Sequence, residues 1–290
     1  MWHIAASAWI NMVLTIDAGN TRTKWALFDD AGNIHHQGAC LNKEIASANM
    51  LPGSLTCEQI VISNVAGEEH AKQLHHLTVA YQATAYWFTA SKQCSDVINN
   101  YATPELLGSD RWAALIAAWH MQHETCVVVN AGTATTIDAI VSTQINGEVF
   151  GVFIGGMILP GIDIMQQSLG TATAQLPKTT TDTATRQQTA VSPFATTTTN
   201  AIYSGAAHAT LGAIKHMLQT VEHQYGHTPA LIISGGNAIL IQQNLTNENS
   251  ADSAAQPTKK PVTIADNLVL QGLYLSTTPA IKQTTQSTLS

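Results

Sequence analysis

Two short segments of this chain carry residues that could grip a phosphate group. The first is Asp17-Ala18-Gly19-Asn20-Thr21-Arg22-Thr23-Lys24, after the apolar run Val13-Leu14-Thr15-Ile16. The second is Asn130-Ala131-Gly132-Thr133-Ala134-Thr135, after Val127-Val128-Val129. Each reads as a buried strand that ends in a polar residue, turns through Ala-Gly and then offers hydroxyl and amide side chains. Glycine lets the backbone approach an anion closely, and bare N–H groups at such a turn present positive charge to it. A carboxylate at a strand end, Asp17, can hold hydrated Mg2+ against a nucleotide's phosphates. Asn20, Thr21 and Thr23 can donate to phosphate oxygens, and Lys24 can neutralise them. The same residues also build an ordinary Asx-type hairpin turn. The echo at 130–135 favours the phosphate reading and suggests two facing loops from a duplicated domain.

Gly108-Ser109-Asp110-Arg111 opens a long helical pattern. Ser109 or Asp110 is a good N-cap, and acidic residues suit a first turn. An arginine there opposes the helix dipole, which a second reading explains: Asp110 accepts a hydroxyl proton while Arg111 clamps a carboxylate. Gly155-Gly156-Met157-Ile158-Leu159-Pro160-Gly161 reads as a tight turn with Pro160 at the first helical position, or as backbone lying along a substrate. Ser234-Gly235-Gly236-Asn237-Ala238 reads as strand, turn and helix, where an adenine could lie against backbone. The histidines do not form a zinc set: His35-His36 and His75-His76 are adjacent, and His120/His123 and His223/His227 lack acidic companions. No P-loop, dinucleotide-binding or nucleophile-elbow motif is present, which disfavours a P-loop kinase, a Rossmann dehydrogenase and an α/β-hydrolase.

The elements that must position these residues come in a repeated series. Strands are expected at Val13–Asp17 and Lys24–Phe28, then a hairpin turn at Asp29-Asp30-Ala31-Gly32-Asn33 into a third strand. A helical stretch near 41–50, strand Ile60–Ser63, helix 67–77 and strand Ala85–Phe88 follow, then an amphipathic helix from about Asp110 to His120. The pattern restarts with Cys126–Asn130, Thr135–Ile140 and Val149–Ile154, turning at Asn146-Gly147. Helices near 160–169 and 199–222, strand Leu231–Ser234, a short helix, strand Val262–Ala265 and a helix from Asp266 to Leu275 complete it. Two α/β lobes with mixed sheets and a cleft between them are implied, with ligands at the strand ends. The boundaries expected are an irregular extension over 1–11, lobes at 12–125 and 126–276, and a disordered tail over 277–290. Residues 171–199 and 242–260 read as loops.

A formal charge of -7 and no Lys/Arg cluster argue against a nucleic-acid surface. Any phosphate must then be held by backbone, hydroxyls and a metal. The cysteines Cys40, Cys57, Cys94 and Cys126 are widely spaced, as reduced thiols in a cytoplasmic protein would be. No stretch is long and apolar enough to span a membrane.

In order and spacing, Asp-x-Gly-Asn-Thr-x-x-Lys, Gly-x-Asp-Arg, Gly-Thr-Ala-x-Thr, Gly-Gly-x-x-x-Pro-Gly and Gly-Gly-Asn-Ala resemble type III pantothenate kinase, over about residues 12–276. The resemblance implies two duplicated ribonuclease H-like lobes of the acetate and sugar kinase/Hsp70/actin superfamily. It implies ATP-dependent phosphorylation of pantothenate to 4'-phosphopantothenate, the first step of coenzyme A biosynthesis. By it, Asp17–Lys24 is the ATP phosphate loop with Asp17 on Mg2+, and Gly132 and Thr133 also contact ATP. Gly108, Ser109, Asp110 and Arg111 bind pantothenate with Asp110 as general base, and Tyr101 contacts the substrate. Thr198 does so too, although the Thr run leaves that register open by one. A homodimer with its substrate pocket at the subunit interface is implied. Many members place Asp before the second loop as ligand for K+ or NH4+. Asn130 stands there, and its uncharged amide predicts a weakened or absent cation dependence. The rivals are another small-alcohol or sugar kinase of the superfamily, and a non-catalytic accessory regulator.

Overall fold

The chain's first apolar run does form a strand, β1 (Val13–Ala18), in which Leu14 and Ile16 are wholly buried. The structure, a computed structural model, describes residues 12–172, 191–249 and 260–277. The expected extension over 1–11, most of the Thr-rich stretch, the end of the polar 242–260 stretch and the tail lie outside these.

β2 (Arg22–Phe28) and β3 (Ile34–Leu41) run antiparallel beside β1 in a meander. The turn between them is an Asx turn as expected: the Asp29 carboxylate accepts the N–H groups of Ala31 and Asn33 at 2.9 and 2.8 Å. The helical stretch expected near 41–50 is only a 3-10 helix, Asn42–Ser47. Asn and Ser compete with helical backbone bonds, and Ser47 donates to the Glu44 carbonyl at 2.9 Å. β4 (Gln59–Asn64) lies parallel to β1 on its other side, and α1 (Glu68–Val79) crosses over to β5 (Thr84–Trp87), parallel to β4. The sheet order is β3-β2-β1-β4-β5. Its central strands are apolar because both faces are covered.

Two short strands follow that carry too few residues for any periodicity, β6 (Gln93–Cys94) and β7 (Val97–Asn99). α2 (Ser109–Gln122) starts where expected but is not amphipathic: every residue from Arg111 to Trp119 is buried. Alanine and tryptophan fill a helix that is covered all round.

β8 (Cys126–Ala131), β9 (Ala134–Ile145) and β10 (Glu148–Pro160) form the second meander. The tight turn expected at 155–161 is absent. β10 continues through Gly155-Gly156 to Pro160, with a bulge at Gly155 (φ +125°), and Pro160 is its last residue rather than the first of a helix. A proline is tolerated at a strand end, and two glycines mark a bulge as readily as a turn. Helices α3 (Ile162–Ala172) and α4 (Thr198–Tyr225) lead to β11 (Ala230–Ser234). Then come α5 (Ala238–Asn249), β12 (Val262–Ile264) and α6 (Leu268–Leu275). α5 takes in residues 242–249, expected to be loop, because Ile241 and Leu245 are fully buried one turn apart.

The second sheet contains the order β10-β9-β8-β11-β12, with the same sequence of antiparallel and parallel pairings as the first. β7 and β6 extend it beyond β10. The duplication read from the two turns is therefore present strand by strand.

The two compact units are not the contiguous halves expected at 125/126. One comprises residues 1–90, 105–113 and 269–290, the other 91–104 and 114–268. The C-terminal helix belongs with the first sheet for a local reason. Leu270 packs with Ala26 and Phe28, and the Tyr274 ring stacks on Phe28 with centroids 4.8 Å apart. Among the described residues, no helix is long and apolar enough to cross a membrane.

Candidate active site

At the carboxyl end of β1, Asp17 stands opposite Lys24 on β2 and Ser63 on β4. The chain then turns, with the Gly19 N–H donating to the Arg22 carbonyl at 3.1 Å. Asn20 and Thr21 are exposed at the tip. Asp17 is half-buried, and its pKa is pushed up to about 7, first by burial and then by the neighbouring charge of Asp110; Lys24 pulls it back only in part. Burial likewise holds the Asp110 carboxyl above its ordinary value, against the Arg111 N–H and the Arg111 charge, which favour its ionised form.

Asp110 occupies the first turn of α2, and its Oδ1 accepts the Arg111 backbone N–H at 2.8 Å. Gly108 makes room for that carboxylate: a Cβ there would lie 2.7 Å from Oδ1. The same helix end is tied to the sheet by Ser109, whose Oγ lies 2.8 Å from the Ser63 Oγ, both buried. Ser63 escaped the sequence reading because its importance comes from pairing with Asp17. A signal existed, however: Ser234 stands opposite Asn130 on β11 just as Ser63 stands opposite Asp17 on β4. Sequence and structure thus bring Asp17, Lys24, Gly108, Ser109, Asp110 and Arg111 into one neighbourhood.

Thr23 departs from the reading as a phosphate donor. It is wholly buried, and its Oγ1 donates to Asn42 Oδ1 at 3.0 Å and lies 2.7 Å from His70 Nε2. Its position next in the alternation to Lys24 turns it inward.

In the other unit the second turn repeats this design with one residue fewer. Ala131 pairs with Thr135, where Ala18 pairs with Thr23, and the Gly132 N–H donates to the Ala134 carbonyl at 3.0 Å. Asn130 stands opposite Thr136 and Ser234. The backbone of the turn is packed from two sides. The Gly161 N–H donates to the Thr133 carbonyl at 2.9 Å, and the Asn237 N–H donates to the Ala131 carbonyl at 3.1 Å. A Cβ at Gly161 would lie 2.3 Å from the Gly132 oxygen, and one at Gly235 (φ +98°) 2.5 Å from the Ala131 oxygen. These two glycines, read from sequence as possible substrate contacts, are supports for the turn.

Tyr101, also in this unit, is partly exposed with its ring stacked on Phe153, and its N–H donates to Asn99 Oδ1 at 3.0 Å. Thr198 is the exposed first residue of α4; the capping hydroxyl is that of Thr197, which accepts the Asn200 N–H at 3.3 Å. Among the described residues no group of three His, Cys, Asp or Glu could hold a metal ion.

A sheet order repeated about two glycine turns defines a duplicated α/β protein, and a carboxylate pair stands beside the first turn. Solved structures agree at the level of fold. A conserved Baf family protein from Campylobacter jejuni, described as a transcriptional activator, superposes with a TM-score of 0.52 at 19% identity, covering 91% of this chain and 96% of that one. A glucokinase from Balamuthia mandrillaris does so with a TM-score of 0.52 at 11% identity, over 93% and 95%. The sequence profile of type III pantothenate kinase matches residues 13–220. Type III pantothenate kinase from Nitrosospira multiformis is 36% identical over 283 residues, 96% of this chain and 94% of that protein. The one from Methylobacillus flagellatus is 34% identical, over 91% of this chain and 97% of its own. The chain belongs to the type III pantothenate kinase family.

Proposed function

We propose that this protein transfers the γ-phosphoryl group of ATP to the primary hydroxyl of pantothenate, giving 4'-phosphopantothenate and ADP at the entry to coenzyme A biosynthesis. The observation that carries the reading is the electrostatic pairing of Asp17 and Asp110 beside Lys24 and the Gly19 turn. A primary alcohol is far too weak an acid to ionise at neutral pH, so a positioned base must take its proton as the new P–O bond forms. Asp110 is that base. Its raised proton affinity makes it a stronger base than a solvent-exposed carboxylate, and such a group contributes about 10²–10⁴-fold. The bond to the bridging oxygen breaks and ADP leaves, with charge neutralised by Lys24 and the turn's N–H groups. Arg111 orients the acceptor through its carboxylate, where a planar guanidinium suits two oxygens.

The residues present fit a divalent cation. Burial holds both the Asp17 and Asp110 carboxyls above their ordinary range, and at Asp17 the Asp110 charge adds to this while Lys24 offsets it only in part, so added positive charge is favourable there. Asp17 would hold Mg2+, which supplies charge neutralisation to the phosphates. Gly132 and Thr133 are assigned to ATP contact, and Tyr101 and Thr198 to pantothenate contact, on the family resemblance, as is a homodimer. Asn130 offers a monovalent cation, K+ or NH4+, an amide oxygen without charge.

A coupled ADP-release assay with pantothenate against a panel of alcohols, with and without K+, tests the proposal. Release should require pantothenate and respond weakly or not at all to K+. Asp110→Asn should lose at least about a hundredfold in turnover while still binding ATP. Full turnover in that variant, or release driven by a different alcohol alone, would overturn the assignment.

A further inference from the structure

Thr23, turned away from solvent, directs attention to what the buried side of the first turn does. Asn42 touches the turn twice: its Nδ2 donates to the Gly19 carbonyl at 2.8 Å, and its backbone N–H donates to the Thr21 carbonyl at 3.1 Å. Its Oδ1 accepts from Thr23. The amide orientation is fixed by this pattern, since a flipped group would set two oxygens face to face at Gly19. The single hydroxyl proton of Thr23 is then committed to Asn42. At 2.7 Å from His70 Nε2, Thr23 Oγ1 must accept, so His70 carries its proton on Nε2. His70 projects from α1, is buried, and is held neutral by that burial, its pKa lying below the ordinary value. The hydrogen-bond directions from His70 to Thr23 to Asn42 to Gly19 follow from this pattern, and Gln73 makes a further side-chain hydrogen bond with His70.

We propose that His70, Thr23 and Asn42 are positioning residues that set the direction of the Gly19–Asn20 peptide, and through it the anion-gripping face of the nucleotide turn. The peptide is trans, so a Gly19 carbonyl drawn towards Asn42 points the Asn20 N–H the opposite way. Without the brace this peptide can rotate and present its carbonyl oxygen in place of the N–H. An oxygen facing a phosphate repels it, whereas an N–H binds it. None of the three side chains needs to touch the nucleotide. Histidine and asparagine at 70 and 42 carry no motif, which is why only the fold discloses them.

The proposal rests on the reading that this turn holds the phosphates of ATP, and the experiment separates the two. Thr23→Val keeps the shape and removes the hydroxyl; it should raise KM for ATP about tenfold or more, roughly 1.4 kcal/mol, with KM for pantothenate unchanged. Thr23→Ser should restore it. Should Thr23→Val fold poorly, Asn42→Asp supplies a second variant. It keeps the acceptor for Thr23 but sets a carboxylate oxygen against the Gly19 carbonyl, and KM for ATP should rise likewise. A KM for ATP equal to wild type in a folded Thr23→Val or Asn42→Asp protein would overturn the brace. Long-range proton–nitrogen NMR of wild type should show neutral His70 protonated at Nε2, and a bare Nε2 would overturn it independently of any activity. If wild type uses no ATP, yet Nε2 is protonated and the Asn20 amide resonance moves in Thr23→Val, the brace stands and the nucleotide assignment falls.

Discussion

Asp17 lies near the end of β1 after the buried Leu14, Thr15 and Ile16, where Lys24 favours its charge and Asp110 repels it. In an unfolded chain an Asp carboxyl loses its proton near pH 3.9, but here the folded state keeps the proton until about pH 7. Between roughly pH 4 and pH 7 the native protein therefore holds a proton that the unfolded chain has released, and stability falls as pH rises through that window. The loss is about 4 kcal/mol at most, and less in so far as water reaches the half-buried group. Asp17→Asn removes it. Thermal melts without nucleotide should show the variant gaining more over wild type at pH 8 than at pH 4, and an equal difference at both values would show that Asp17 is ordinary. Asp17 is legible in sequence because a polar residue after an apolar run and before Ala-Gly is a strong local signal, and Asp110 because it stands beside an arginine at the start of a helical pattern. Thr23 misled because the direction of a side chain near a turn depends on strand register, which becomes visible only once β2 is paired with β1.

Elements hold the two turns by different means, and glycine substitutions should separate them. At Gly108 an added Cβ would meet the end of one side chain, the Asp110 carboxylate, at 2.7 Å. The carboxylate can swing aside, so Gly108→Ala should cost little stability and much turnover. At Gly161 the Cβ would meet the carbonyls of Gly132 and Thr133, at 2.3 and 2.4 Å, and backbone cannot swing. Gly161→Ala should lower stability by about 1–3 kcal/mol, read as a lower denaturant midpoint. Equal stability losses in the two variants would contradict this division. The elements themselves were largely legible from apolar runs between glycine turns, as in β1, β4, β8 and β11. Those that escaped had physical reasons. β6 and β7 are too short for a period, and the Gly-Gly-…-Pro-Gly end of β10 carries turn-forming residues that the sheet accommodates as a bulge and a strand end.

Over the whole molecule, the repeated strand order shows why the duplication could be read from two turns alone, while the division into units could not. Chain order predicts contiguous halves, yet the last helix joins the unit that contains the first strands. Its apolar residues say only that it is buried, not against what. Packing answers this: Leu270 is 1% exposed against Ala26 and Phe28, Tyr274 donates to the Asp30 carbonyl at 3.1 Å, and a Cβ at Gly272 would strike the Ala113 carbonyl at 1.8 Å. A cooperative unit assembled from distant segments loses protection everywhere when one segment is weakened. Leu270→Ala should destabilise by about 2–5 kcal/mol, whereas Tyr274→Phe, which sacrifices one hydrogen bond and keeps the stack on Phe28, should cost about 0.5–1.5 kcal/mol. In Leu270→Ala, amide exchange should quicken in β1 to β3 as well as in α6, although the mutated residue lies at the opposite end of the chain. Faster exchange confined to α6 would mean that the C-terminal helix is an appendage and that the first sheet stands without it.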